Sequence, residues 1–286
     1  MKSDTETVLT ASVSEIYAHI SVDECSAVLA VVRSGHCPPS RFTGRERVIE
    51  VNKLRERYDI ETAAAWILGH ARACGVPALP EELRSRTSDG CTDDELLRII
   101  DAGQATGLKL YPFKTGTQTL ARTRRVLGFL RSIQFETMLD VGSGRGVFLI
   151  PFMKEFPWVR VTSLDLLEKR VTFLNELADG GFRQLHAEQK DICTQPYPDD
   201  SFDVVTLLEV LEHIPEVDKA VAAAVKMARQ YVVVTVPSKP DDNPEHIHLL
   251  TKEKLTQLFG AADCTKLHFD GVEGHLFLVA TIDKRE

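Results

Sequence analysis

Hydrophobic positions follow two different periods along the chain, and the change falls near residue 106. Before that point, residues 22–35, 44–58, 60–75 and 92–103 carry apolar side chains at steps of three and four, which predicts amphipathic helices. In the last of these, Thr92 and Glu95 have capping-box spacing. From about Leu139, short apolar runs alternate with amphipathic segments, which predicts strands linked by helices.

This change predicts a helical N-terminal domain over residues 1–106 and an α/β domain over residues 107–286. Strands that alternate with helices favour a mostly parallel sheet. In such folds ligands bind beyond the carboxyl ends of the strands. The polar residues of the second half collect at those predicted ends.

Composition narrows the classes of protein. The 286 residues are 43% hydrophobic and carry a formal net charge of −8. This negative overall charge excludes binding of nucleic acid through the net charge of the protein. Six cysteines are scattered without a C-x-x-C pair, and no apolar run approaches the roughly 18 residues of a membrane span. We expect a soluble cytoplasmic protein that does not enter membranes.

One segment departs from this acidic background. Residues 107–135 hold six lysines and arginines between Lys109 and Arg131, and no acid. The segment is either the solvated face of a helix or a surface that binds phosphate, and the second interpretation makes RNA a possible partner.

A glycine loop with nearby acids indicates a nucleotide site. The loop at 142–146 joins an apolar run to a predicted helix, and its glycines let the backbone turn tightly and approach a ligand. Asp140 precedes the loop, and Asp165 ends the next strand, where it can accept hydrogen bonds from ribose hydroxyls. Asp191 follows the expected third strand, where it can meet an adenine amino group. A dinucleotide site explains the loop and Asp165 but not Asp191.

Four motifs, "LDVGSGRG", "SLD", "KDI" and "FDVVTLLEVLEHIP", together resemble the class I S-adenosylmethionine (SAM) methyltransferases. The resemblance runs from about Thr117 to the C-terminus. It implies a Rossmann-like, mostly parallel, seven-stranded sheet. It also implies that SAM is held by Asp140, Gly142, Ser143, Gly144, Gly146, Asp165, Leu166, Asp191, Ile192 and Glu209.

The segment "EVLEHIP" follows the fourth predicted strand. If a helix begins near Glu209, then Glu212 and His213 share one of its faces. His246 and His248 follow the fifth strand, at the same predicted edge of the sheet. Glutamates and histidines are suitable ligands for Mg²⁺ or Mn²⁺. The alternative is that the same residues shape the pocket or hold SAM without a metal.

This arrangement resembles the metal-dependent methyltransferases that modify the 2′-hydroxyl of the 3′-terminal ribose of RNA. The resemblance implies four metal ligands: Glu209, Glu212, His213 and His246. His248 stands where that family usually has an aromatic residue. A bound cation would acidify the acceptor hydroxyl, and either His213 or His248 could take its proton.

We therefore expect a SAM-dependent O-methyltransferase, with an RNA ribose hydroxyl as the leading acceptor. The alternative acceptor is a small-molecule hydroxyl on a phenol, a quinol or a natural product. A third hypothesis is a SAM-binding partner subunit without activity of its own.

Residues outside these motifs are also candidates for a functional site. A zinc site in the N-terminal half could draw on His36, Cys37, His70, Cys74 and Cys91, against the alternative of ordinary buried thiols. His275 precedes the last predicted strand and is either part of the crevice or a turn residue.

Overall fold

A single sheet of seven strands organises the computed structural model, which describes residues 51–115, 120–240 and 242–283. The strands are β1 (Thr137–Val141), β2 (Arg160–Asp165), β3 (Leu185–Gln189), β4 (Phe202–Leu208), β5 (Ala228–Pro237), β6 (Lys266–Val272) and β7 (His275–Thr281). The longer α-helices are α1 (Ile60–Cys74), α2 (Asp93–Ala105), α3 (Ala121–Leu130), α4 (Leu149–Glu155), α5 (Glu168–Gly180), α6 (Val217–Met227) and α7 (Lys252–Ala261).

The strand order is β3-β2-β1-β4-β5-β7-β6. Strands β1 to β5 pair in parallel, whereas β7 is antiparallel to both β5 and β6. The direction of the strand order reverses between β1 and β4, which is where ligands bind in open α/β sheets. The predicted fold, a mostly parallel seven-stranded sheet of the class I methyltransferase type, is confirmed.

Local signals in the sequence account for the first helices. Asp59 caps α1 by accepting a hydrogen bond from the backbone N–H of Thr62. The predicted capping box of Thr92 and Glu95 is present at the start of α2. That helix continues past Gly103 to Ala105, because Gly103 lies buried among its neighbours instead of ending the helix.

Helices cover both faces of the sheet. One face packs against α6 and α7, and the other against α3, α4 and α5. On this second side α1 lies against α5 so closely that a Cβ added at Gly69 would lie 1.8 Å from the carbonyl oxygen of Glu176.

The helices α1 and α2 therefore share a hydrophobic core with the sheet. Residues 50–286 form one compact unit, and the predicted boundary after residue 106 falls inside it. The helices predicted at 22–35 and in most of 44–58 lie outside the described residues. No helix among the described residues is long and apolar enough to cross a membrane.

Candidate functional site

The glycine loop begins directly after β1. Gly142, Gly144 and Gly146 have φ values of 69°, 59° and 73°, in the left-handed region that favours glycine. A Cβ at Gly142 would lie 2.6 Å from a methyl group of Val210, so the loop also packs tightly against the segment that follows β4. Ser143 exchanges a 2.7 Å hydrogen bond with Ser163 of β2, which ties the loop to the neighbouring strand.

Asp140 lies within β1, one residue before the strand ends. Its carboxyl group is buried and accepts a 2.5 Å hydrogen bond from the hydroxyl of Thr206 on β4. Burial raises the pKa of Asp140 to about 6, and the nearby charge of Asp165 acts in the same direction. Hydrogen bonds from Ser143 and Thr206 oppose this rise in the pKa.

Two more predicted cofactor residues lie at the ends of β2 and β3. Asp165 accepts hydrogen bonds from the backbone N–H groups of Gly144 at 3.1 Å and Leu167 at 2.9 Å. Asp191 accepts one from the N–H of Cys193 at 2.8 Å. Next to these acids, the Leu166 side chain is 64% exposed and the Ile192 side chain is buried.

A cavity of about 210 Å³ opens beside the glycine loop. Its wall includes five of the predicted cofactor residues, namely Asp140, Gly142, Ser143, Gly144 and Glu209. The other five predicted residues, Gly146, Asp165, Leu166, Asp191 and Ile192, lie outside this wall. A larger cavity of about 260 Å³ lies near the amino ends of the parallel strands, around Asp199 and Arg229.

Glu209 follows β4 with a φ of 58°, a rare conformation for a residue with a side chain. Its Oε2 lies 3.0 Å from Nε2 of His275 and 4.0 Å from Nε of Arg122. Its Oε1 is buried and accepts no hydrogen bond from any residue that the structure describes. Glu209 therefore faces the cavity beside the glycine loop.

The helix expected to begin at Glu209 is absent from the described structure. Residues Leu211–His213 form a single 3₁₀ turn instead. Glu209 and Glu212 therefore do not share one helical face. The structure does not bring all four predicted metal ligands together, because Glu209 is paired with His275.

The other three predicted ligands do come together. Ligand atoms of Glu212, His213 and His246 all lie within 4.8 Å of one another, and the two imidazole rings have centroids 4.7 Å apart. Glu212 is buried, and its carbonyl accepts hydrogen bonds from the N–H groups of Ile247 and His248, which fixes the loop after β5 against the 3₁₀ turn. One carboxylate and two imidazoles suit a divalent transition metal.

The two predicted proton acceptors differ in their surroundings. His213 Nδ1 donates to the carbonyl of Glu245 at 2.9 Å, which leaves Nε2 with its lone pair for a cation or a proton. His248 Nε2 donates to the carbonyl of Ile214 at 3.0 Å. His248 is thereby held against the backbone and lies outside the group of three.

Several residues of the cavity region were not among the predicted cofactor residues. Arg122 and Arg170 both line the cavity, and His275 pairs with Glu209. The sequence left His275 as either part of the crevice or a turn residue, and its pairing with Glu209 favours the first. The start of β7, where His275 lies, meets the carboxyl end of β5. Nothing in the sequence distinguished Arg122 from the neighbouring arginines as a residue of the cavity.

Three of the six basic residues between Lys109 and Arg131 lie near acids from other segments. Arg122 lies near Glu209, Arg125 pairs with Asp270 at 2.8 Å, and Arg131 pairs with Glu155. The stretch is therefore less positive as a surface than its sequence indicates.

Comparisons with known proteins find similarity to methyltransferases. Residues 139–234 match a family model described as a methyltransferase domain. The ribosomal RNA small subunit methyltransferase G of Exiguobacterium is 31% identical over 132 residues, which cover 43% of this chain and 55% of that protein. The 27-O-demethylrifamycin SV methyltransferase of Amycolatopsis mediterranei is 35% identical over 114 residues, 39% of this chain and 41% of that protein. The chain thus spans about half the length of these relatives.

A solved structure supports the fold. The phosphoethanolamine N-methyltransferase 2 of Haemonchus contortus, in complex with S-adenosylhomocysteine, superimposes with a TM-score of 0.50 at 13% identity, over 57% of this chain and 52% of that one. The likeness concerns the fold alone. Residues 139–234 thus match a methyltransferase domain, and the chain has the class I methyltransferase fold.

Proposed function

We propose that this protein transfers the methyl group of SAM to a hydroxyl oxygen, and that the acceptor is a small molecule. One observation carries the proposal. The segment after β4 turns Glu209 toward the cavity beside the glycine loop, while Glu212 and His213 join His246 in a second polar group. This arrangement supports a donor site and an acceptor site that share one wall.

On the donor side, bound SAM supplies an electrophilic methyl group on a positively charged sulfonium. The negative charge of Asp140 and the backbone of the glycine loop would hold its methionine part. Asp165 would accept hydrogen bonds from the ribose hydroxyls, and Asp191 would meet the adenine. The buried Oε1 of Glu209, which accepts no hydrogen bond from the described residues, is available to a donor group of the cofactor.

On the acceptor side, Glu212, His213 and His246 fit a divalent cation. Such a cation would polarise a bound hydroxyl and so make its oxygen a better nucleophile. Because two of the three ligands are imidazoles and Glu209 is engaged elsewhere, the donor set favours Mn²⁺ over Mg²⁺. Without a cation, the Nε2 of His213 is the group that can accept the hydroxyl proton.

The surroundings of this group favour a small acceptor. Ile247 and Leu249, which follow His246 in the chain, expose 51% and 46% of their surfaces. Exposed apolar side chains in this loop suit an apolar acceptor better than a phosphate backbone. The pairing of Arg125 and Arg131 with acids offsets two of the six positive charges that RNA could use in this stretch.

A second candidate is RNA, with a ribose 2′-hydroxyl as the acceptor. Relatives named as ribosomal RNA methyltransferases support it, and so does the presence of Arg122 and Arg124 on α3. Incubation of the protein with labelled SAM and with fractionated RNA or metabolite pools separates the two candidates. Label in the metabolite fraction supports the small-molecule proposal, and label confined to RNA contradicts it.

The role of the cation is tested by chelation. We expect a chelator to abolish methyl transfer while SAM stays bound, with Mn²⁺ restoring activity. His246→Ala should have the same effect because it removes one of three ligands. His186→Ala, which removes an exposed histidine of β3, is the matched control and should remain active. Full activity in excess chelator would show that the group acts without a metal.

A further inference from the structure

A second group of metal-binding side chains lies where α1 packs on α5. One ring nitrogen of His70, the Sγ of Cys74 and one carboxylate oxygen of Glu176 lie within 4.8 Å of one another. His70 and Cys74 are four residues apart on α1, so they share one helical face, and Glu176 meets them from α5.

The close approach of the two helices creates this meeting. Gly69 precedes His70, and a Cβ there would clash with the backbone of Glu176. At the other end of the crossing, a Cβ at Gly180 would lie 1.6 Å from the carbonyl oxygen of Ala65. Two glycines thus bring the helix backbones near enough for side chains from both to reach one point.

Glu176 is 6% exposed, and its carboxylate accepts hydrogen bonds from Trp66 Nε1 at 2.6 Å and His70 Nδ1 at 2.8 Å. In the tautomer with the proton on Nε2, His70 Nδ1 has a lone pair for a cation in place of this hydrogen bond. A carboxylate has about four lone-pair positions, so Glu176 can bind the same cation and keep the hydrogen bond from Trp66. A buried hydrogen-bond network alone accounts for Trp66, His70 and Glu176, but it gives Cys74 no role.

We propose that His70, Cys74 and Glu176 bind one Zn²⁺ ion, with a water molecule as the fourth ligand. A thiolate, an imidazole and a carboxylate are the side chains that zinc prefers, and the thiolate disfavours Mg²⁺ or Ca²⁺. Binding releases the thiol proton of Cys74 to solvent. The charges of the thiolate, the carboxylate and the metal then sum to zero, which suits a site with one buried ligand.

The required adjustment is small. In a tetrahedral zinc site neighbouring ligand atoms lie roughly 3.3–3.8 Å apart, given metal–ligand bonds of about 2.0–2.3 Å. Cys74 is exposed, so its side chain can turn toward the other two ligands without displacing core residues. Its exposure also admits the water ligand.

The ion would connect the N-terminal helices to the methyltransferase fold. Glu176 lies on α5, and the same helix carries Arg170 into the wall of the cavity beside the glycine loop. Zinc would therefore stabilise the contact between α1 and the helix that borders the cofactor region, without taking part in methyl transfer.

Cobalt spectroscopy tests this site apart from any activity. The full-length protein is stripped of metal with a chelator and titrated with Co²⁺. We expect a thiolate-to-cobalt charge-transfer band in the near ultraviolet, which Zn²⁺ abolishes by displacement. The band should be lost in Cys74→Ser and retained in Cys91→Ser, which removes another cysteine of the same region.

The His246→Ala variant separates the two metal groups, because no cysteine belongs to the Glu212–His213–His246 group and the band should persist in that variant. Thermal unfolding gives a second measurement: Zn²⁺ should raise the Tm of the wild-type protein but not that of Cys74→Ser. If Cys74→Ser does not fold, His70→Asn replaces it and should also lose the band. Absence of the band from the wild-type protein, or its persistence in Cys74→Ser, overturns the proposal.

Discussion

We expect the buried carboxyl group of Asp140 to make SAM binding depend on pH. Burial raises the pKa of Asp140 from its ordinary value of 3.8 to about 6. If SAM binds to the ionised form, its affinity should fall as the pH falls through about 6. At pH 5 only about one tenth of the carboxyl groups are ionised, so we expect roughly tenfold weaker binding than at pH 8.

The effect on stability has the opposite sign. Because the pKa of Asp140 is higher in the folded state, its contribution to stability is fully present below pH 3.8 and is lost as the pH rises through about 6. The shift of about two pH units corresponds to a loss of about 3 kcal/mol in the free energy of unfolding. Because SAM is expected to bind more tightly at pH 8 than at pH 5, it should raise the free energy of unfolding more at pH 8.

Isothermal titration calorimetry across this range measures the affinity, with Asp140→Asn as the comparison. The amide keeps the size of the side chain but carries no charge, so the variant should bind SAM weakly at every pH. Other groups, including SAM itself, also titrate, and their contributions appear in both proteins. An identical pH dependence in the wild type and Asp140→Asn would refute the assignment to Asp140.

Two further predictions concern the cofactor and the helix crossing. Asp165→Ala should weaken SAM binding by about 1–3 kcal/mol through the loss of a charged acceptor for the ribose, and unchanged affinity in calorimetry would contradict that role. Gly69→Ala should lower the free energy of unfolding by about 1–3 kcal/mol in denaturant titration, because its Cβ would lie 1.8 Å from the carbonyl oxygen of Glu176. Gly128→Ala on α3 is the control, since its Cβ meets nothing within 4 Å and alanine should stabilise that helix by about 1 kcal/mol. Equal effects of the two substitutions would contradict the close crossing.

The strands at the centre of the sheet were predictable because both of their faces are buried. Strand β4, with six of its seven residues buried, is mostly apolar apart from Asp203 and Thr206, and much of β5 is apolar too. The edge strand β6 buries none of its residues fully, so its sequence carries little hydrophobic signal and it was not predicted. The sequence also did not predict that α1 and α2 share a hydrophobic core with the sheet. An amphipathic pattern shows that one face of a helix is buried, but not which element it packs against.

The sequence indicated candidate residues for the site, but it did not indicate how all of them are arranged. The glycine loop and the acids at the carboxyl ends of β1, β2 and β3 could be predicted because the apolar pattern reveals where those strands end. The pairing of Glu209 with His275, in contrast, joins residues far apart in the chain. It depends on the antiparallel register of β5 and β7, which local spacing does not encode.

The divergence of Glu209 and Glu212 has a physical cause in the residues between them. Val210 packs over Gly142, and Leu211 is fully buried. The chain must therefore direct the side chains of two consecutive residues, Val210 and Leu211, into the protein. A regular helix would place consecutive residues 100° apart, and Pro215 disfavours helical conformation just before it. The chain instead takes the left-handed conformation at Glu209 and a single 3₁₀ turn. Tertiary packing around the glycine loop thus directs one glutamate to the cavity beside that loop and the other toward His213 and His246, which is how a segment of five residues comes to border both proposed sites.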